Sequence, residues 1–292
     1  MSAVPVPAER PRGLRPGRIL IYVVLIIFAL FYLMPIYVLL ITGMKSFTEV
    51  SLDRMWNLPQ SLSFDSFRDA WFGNESTAIN GLAQNFMNSM LLTVPTTLIS
   101  AILGSMNGYV LAKWKFPGAN VIFPLILFGM FIPYQSILIP LVQTMRTIHL
   151  YGTLPGLILV HVIYGIPITT LIFRNYYASV PSELVEAARI DGAGILGVYR
   201  HILFPISLPG FIVVMIWQFT AVWNEFLFAI ILVSDPRSQP ITVALNNLAG
   251  SFSVAWNVQM AGALLAAIPT LLVYIFLGRY FLRGLLAGSL KG

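Results

Sequence analysis

Apolar residues run along this chain in six long blocks, near 19–42, 87–112, 119–142, 153–174, 207–233 and 258–281, parted by shorter polar stretches. Each block is long enough to cross a hydrocarbon core about 30 Å thick, which takes roughly 20 helical residues. The pattern predicts an all-α integral membrane fold of six transmembrane helices over 19–281, with short tails at 1–18 and 282–292. Tyr22, Trp114, Tyr134, Trp256 and Tyr280 fall near block ends, where amphipathic rings suit the membrane–water interface. Pro95, Pro133, Pro140, Pro167 and Pro269 interrupt the blocks, and each removes a helical hydrogen bond and favours a kink. The longest polar segment, about 43–86, interleaves polar and aromatic residues and predicts short interfacial helices. No internal repeat, heptad array or low-complexity tract is present.

Composition sharpens the membrane reading. The chain is 58% hydrophobic and 10% charged, with a mean hydropathy of +0.82, whereas soluble domains carry about 25% charged residues. Arg10, Arg12, Arg15 and Arg18 precede the first block as in a signal peptide. That block is too long, and no small-residue cleavage site follows it, so a retained first span is expected. Without cysteine there are no disulfides, metal–thiolate sites or thiol catalysis.

The net charge of +6 maps onto topology rather than nucleic acid. With the N-terminus in the cytoplasm, the cytoplasmic segments hold Arg10, Arg12, Arg15, Arg18, Lys113, Lys115, Arg174, Arg189, Arg200, Arg279, Arg283 and Lys291. The external segments hold only Lys45, Arg54, Arg68, Arg146 and Arg237. Positive charge concentrates on the cytoplasmic side, which predicts both termini inside. The loop between the fourth and fifth blocks, 178–206, then faces the cytoplasm.

That loop reads PSELVEAARIDGAGILGVYRHILFP over 181–205. Glu183 and Glu186 sit in the first turns of a helix starting near Pro181 or Ser182, where negative charge and proline are both favoured. Leu184, Ala187, Ala188 and Asp191 are expected on one face, the alanines allowing close approach of another surface. Gly192 and Gly194 end this helix and permit a sharp turn. A second helix, Ile195 to Ile202, feeds the fifth block through Pro205 and Pro209. Helix, turn and helix along the membrane surface would make a lever, although an ordinary amphipathic loop has the same periodicity.

Spacing separates the two. Glu186-Ala187-Ala188 is followed after three residues by Gly192, and after nine more by Ile202 and Pro205. This resembles the EAA loop of the membrane-spanning subunits of bacterial ATP-binding-cassette importers, departing only at Phe204, where the family usually has Leu. The ending over 279–292, RYFLRGLLAGSLKG, and Trp223-Asn224-Glu225-Phe226 in the fifth block are similar to carbohydrate importers of the maltose and glycerol-phosphate kind. The resemblance covers nearly the whole chain and matches the six-span permease of a dissimilar pair.

It implies a permease subunit of the inner membrane, partnered by a second permease, two copies of an ATPase and an extracytoplasmic sugar-binding protein. Glu183, Glu186, Ala187, Ala188, Arg189, Asp191, Gly192 and Gly194 would contact the ATPase, as would Arg283 and Lys291 in the tail. The ATPase, not this chain, would use ATP and Mg; no cofactor or nucleic acid is implied for this chain. Asn246 and Asn247 in the last external loop would reach the binding protein, unless that loop is merely solvated.

Polar groups inside the blocks are costly in hydrocarbon. Gln218, Asn224 and Glu225 could line the passage for a carbohydrate, or form interhelical hydrogen bonds. His161, Asn88, Asn107 and Gln135 fit helix packing first. HExxH, GxSxG, paired intramembrane acids and GxxxxGK[ST] are all missing, so neither catalysis nor ATP binding is supported in the chain itself. An ion-driven secondary transporter is the alternative; it would ordinarily show two related halves and several embedded charges.

Overall fold

The computed structural model describes residues 16–77, 79–248 and 254–289, with side chains described as far as residue 280. The chain begins with α1 (Pro16–Gly43), whose residues 19–36 are all exposed; an apolar helix in that state needs a nonaqueous neighbour. Only its far end is buried, where Gly43 meets the backbone of Ala261.

The 43–86 segment holds 3₁₀ turns at Phe47–Glu49 and Leu52–Arg54, then α2 (Asp65–Phe72) and a third 3₁₀ turn at Glu75–Thr77. It also contains an element that the polar–aromatic pattern does not predict, an antiparallel hairpin of β1 (Gly73–Asn74) and β2 (Ile79–Asn80). Its reversal is a side-chain event: Asn74 Oδ1 accepts from Ser76 N at 3.1 Å and Ser76 Oγ at 2.6 Å, an Asx turn.

Helix α3 (Ala83–Lys113) follows and is the spine of the bundle. Next come α4 (Ala119–Phe128), extended by a 3₁₀ turn to Phe131, and α5 (Leu138–Thr147), preceded by one at Tyr134–Ile137. These two arms meet at 90°, so the straight third helix expected over 119–142 is broken. Pro133 supplies the reason: its ring drives Ile132 into extended backbone (φ −72°, ψ 118°) and it donates no hydrogen bond.

Helix α6 (Leu154–Ala178) starts with Thr153 Oγ1 accepting from Gly156 N at 3.1 Å and Pro155 in its first turn. It packs on α3 so closely that a Cβ on Gly108 would lie 2.7 Å from Arg174 N. The 178–206 loop comprises α7 (Ser182–Ile190), α8 (Ile195–Val198), a π-helical turn (Tyr199–Leu203) and α9 (Phe204–Ile206). The limb Ile195–Ile206 then meets α10 (Leu208–Trp223) at 77°.

The fifth block also differs from expectation. It stops at Trp223 and resumes as α11 (Leu227–Leu232), with α12 (Ile241–Asn247) beyond. The sixth block, α13 (Trp256–Ser289), runs on past 281, so the described part of the predicted tail continues the helix. Among the described residues, four helices are long and apolar enough to cross a membrane (α1, α3, α6 and α13), or up to six if each bent pair is one span. At the end remote from the loop, α3 clamps the segment after α11. Asn85 Nδ2 donates to the Pro236 and Gln239 carbonyls, Asn88 Nδ2 to that of Arg237, and Ser89 Oγ accepts from Ile241 N, all at 2.7–2.8 Å.

Candidate functional site

The loop is built around the end of α7. Gly192 N donates to the Arg189 carbonyl at 3.0 Å and Ala193 N to that of Ala188 at 2.9 Å, with Gly192 at φ +83°. This is a Schellman termination, and only a residue at ease with left-handed backbone closes it without strain. A Cβ on Gly192 would meet nothing within 4 Å, nor would one on Gly194, so both glycines border open space.

The faces of α7 differ from the sequence expectation in one respect. Leu184, Ala187 and Asp191 are exposed together, with Ile190 at 87% beside them. Ala188, expected on that face, turns inward with Val185 and is 8% exposed. Residues 185 and 188 are three apart, as helical neighbours are, and both pack into a core with Tyr109, Tyr177 and Tyr199. The ridge offered outward is therefore Leu184, Ala187 and Ile190, with Glu183, Glu186 and Asp191 also exposed on the helix.

Own-chain contacts hold α7 to α3. Lys113 Nζ donates to the Val180 carbonyl and, at 3.3 Å, to Ser182 Oγ. The Arg189 guanidinium lies 3.8 Å over the Trp114 ring, which draws this candidate contact back onto the chain while leaving it exposed. Deeper, the limb is fixed by tyrosines that sequence reasoning did not single out. Tyr109 OH donates to the Ile195 carbonyl at 3.2 Å, and Tyr199 OH to Ser105 Oγ at 3.1 Å. The available signal was hydroxyl side chains in otherwise apolar blocks.

Gln218, Asn224 and Glu225 do not share one surface. Gln218 is 2% exposed between α3, α6 and α10, with Nε2 3.4 Å from Ser100 Oγ. Asn224 is exposed and donates back to the Thr220 carbonyl at 2.9 Å. Glu225 lies in the break between α10 and α11, not within a helix. Its carboxylate accepts from Phe228 N at 2.7 Å and Ala229 N at 3.3 Å, serving as the cap of α11. His161 Nε2 stands 3.4 Å from the same carboxylate but makes no well-aligned hydrogen bond.

Asn246 and Asn247 are exposed on α12, Asn247 donating to Gln239 Oε1 at 3.0 Å. They stand by a cavity of about 710 Å³ that Asp69, Asn80, Asp235, Arg237 and Asn247 help to line. The side chain of Arg283 and the whole of Lys291 lie outside the described residues. Among the described residues, no group of three or more His, Asp or Glu could hold a metal ion.

Residues 100–286 match the family described as binding-protein-dependent transport system inner membrane component. A probable ABC transporter permease of Pyrococcus horikoshii is 44% identical over 286 residues, covering 96% of this chain and all of that one. A xylose/arabinose import permease of Haloferax volcanii is 35% identical, covering 92% of each. In fold, a chain from a bacterial ABC transporter involved in the import of the acidic polysaccharide alginate superposes with a TM-score of 0.77 at 23% identity. That match covers 94% of this chain and all of the other. The helical bundle and these matches agree: the chain belongs to the binding-protein-dependent transport system inner membrane components and is an ABC transporter permease subunit.

Proposed function

We propose that the chain is one of two dissimilar permeases in a carbohydrate importer, working by alternating access driven by ATP hydrolysis on a partner. The observation that carries this is the exposed ridge Leu184, Ala187 and Ile190. It ends in a Gly192 turn open on its outer side and joins α10 through a limb bent at 77°. Glu183, Glu186, Asp191 and Gly194, exposed around that ridge, would frame the ATPase contact with Arg189, and Arg283 and Lys291 would add the tail. Val185 and Ala188 transmit the push inward because they are packed against the spans.

The carbohydrate class rests on relatives such as the xylose/arabinose permease, and on the WNEF and tail resemblances. ATP and Mg belong to the ATPase, and this chain catalyses nothing itself. Both termini and the α7 ridge lie in the cytoplasm, as the arginine and lysine distribution requires. Six spans then arise by counting each bent pair once. Asn246 and Asn247, beside the far-end cavity, would face the sugar-binding protein.

The experiment is to tag the chain, extract it gently from its native membrane and identify what accompanies it by mass spectrometry. A Walker-motif ATPase and a second multispan protein are expected. Recovery of the chain alone in more than one detergent would instead favour ion-driven secondary transport.

A further inference from the structure

Four hydroxyl side chains at the loop end form a directed chain of hydrogen bonds. Tyr199 OH donates to Ser105 Oγ at 3.1 Å, and Ser105 Oγ and Tyr177 OH lie 2.6 Å apart. Tyr177 OH donates to Ser207 Oγ at 3.0 Å, and Ser207 Oγ to the Phe204 carbonyl at 3.0 Å. With Ser105 as donor to Tyr177, every hydroxyl donates once and accepts from its predecessor, apart from Tyr199, which begins the chain. Ser105, Tyr177 and Ser207 have no exposed surface, and Tyr199 is 9% exposed.

The route of this chain matters more than its length. It leaves the limb at Tyr199, crosses α3 at Ser105 and α6 at Tyr177, and returns to the elbow at Ser207 and Phe204. The limb is thus tied at the first residue of its π-helical turn, Tyr199–Leu203, and again just beyond the turn. Tyr199, Leu203 and Ser207, spaced by four, all point inward, and π-helical turns recur at functional sites. The two spans being gripped already form a block, since a Cβ on Gly104 would lie 2.8 Å from the Thr169 backbone. Burying four hydroxyls gains little over apolar packing, because each must first be desolvated. What they add is direction: a hydrogen bond fixes the angle and register that an apolar contact leaves free to slide.

We propose that Tyr199, Ser105, Tyr177 and Ser207 are positioning residues, a clasp that makes the limb and spans α3 and α6 move as one body when the loop is pushed. This rests on the coupling function proposed above. The relevant difference is between a loop that carries its spans and one that slips past them.

The chain contains no cysteine, so the reporter thiols are the only ones it carries, and any cysteine of the partner subunits is replaced by serine. His201→Cys, exposed on the limb, and Leu98→Cys, 48% exposed on α3, are spin-labelled in the complex as purified with its own ATPase. Their separation is measured without nucleotide and after trapping with ATP and vanadate. With the clasp intact, the distance distribution is expected to be the same in both states. In Ser105→Ala/Tyr177→Phe it is expected to broaden and shift on trapping, while Tyr164→Phe, which removes a tyrosine hydroxyl outside the clasp, behaves like the parent. Tyr199→Phe alone deletes one donor at a slightly exposed site and carries the same test should the double variant not assemble.

A clasp variant whose distances match the parent in both states overturns the proposal, as does a parent whose limb moves relative to α3. A purely structural role would lower the unfolding temperature without making the distance depend on nucleotide. A parent complex that hydrolyses no ATP and cannot be trapped refutes the coupling function itself, which is a distinguishable failure.

Discussion

Replacing Glu225 by alanine removes an anion that finishes one helix, and its cost can be worked from the structure. The carboxylate is the acceptor for Phe228 N and Ala229 N, at 2.7 and 3.3 Å. Phe228 is 5% exposed and Ala229 not at all, so water cannot readily replace it. Two buried donors left unpaired cost about 1–3 kcal/mol each, and losing the charge at the start of α11 adds roughly 0.3–1 kcal/mol. Glu225→Ala is therefore expected to destabilise the chain by about 2–7 kcal/mol. Glu225→Gln, which keeps one acceptor oxygen but turns its amide toward the second donor, should lose about 1–3 kcal/mol. His161 adds little, because its 3.4 Å approach is poorly aligned. A His161→Ala/Glu225→Ala cycle should show a coupling below about 1 kcal/mol. The assay is SDS-titrated unfolding of the purified chain followed by circular dichroism, alongside uptake in the assembled complex. If Glu225→Ala unfolds within about 0.5 kcal/mol of the parent yet abolishes uptake, the carboxylate serves the passage and the capping argument is wrong.

At Gly192 the backbone is left-handed but a side chain meets open space, so Gly192→Ala should cost the isolated chain about 1–2 kcal/mol and Gly192→Asn less. ATP-coupled uptake should fall far more than that strain explains, and a Gly192→Asn complex with parental uptake would show that only the backbone matters. Gly108→Ala drives a Cβ to 2.7 Å from Arg174 N, a backbone atom that cannot swing aside. Overpacking of about 1–3 kcal/mol is expected, read as a lower unfolding temperature in detergent. Lys45 is 2% exposed with its ammonium 2.8 Å from the Arg54 carbonyl, and burial holds its pKa below 10.5 despite nearby Glu49. Between that lowered value and 10.5 the unfolded chain binds more protons, so stability rises with pH through the window. Unfolding temperatures of the parent and Lys45→Met should therefore shift in the parent's favour as pH approaches about 10.5; a gap independent of pH would contradict this.

The sequence by itself determined that this is a helical membrane protein and where its long helices lie, because the cost of burying polar backbone in hydrocarbon leaves an unbroken apolar run few other forms. It also located the α7 helix and the glycine that ends it, since capping and left-handed backbone are local matters, decided within a few residues of Gly192. The bends were partly written there too: Pro133 was visible, but its 90° consequence depends on what the two arms pack against. Periodicity misplaced Ala188, because a helix has several apolar stripes and only the tyrosine core beneath selects the buried one. Glu225 looked like a charge within a span because its partners, Phe228 N and Ala229 N, become available only once the helix breaks. The hydroxyl clasp was least legible of all. Ser105, Tyr177, Tyr199 and Ser207 are separated by up to 102 positions, and nothing local distinguishes them from other hydroxyls in apolar helices. Tertiary structure alone decided that they meet, because a hydrogen bond is set by distance and angle in space.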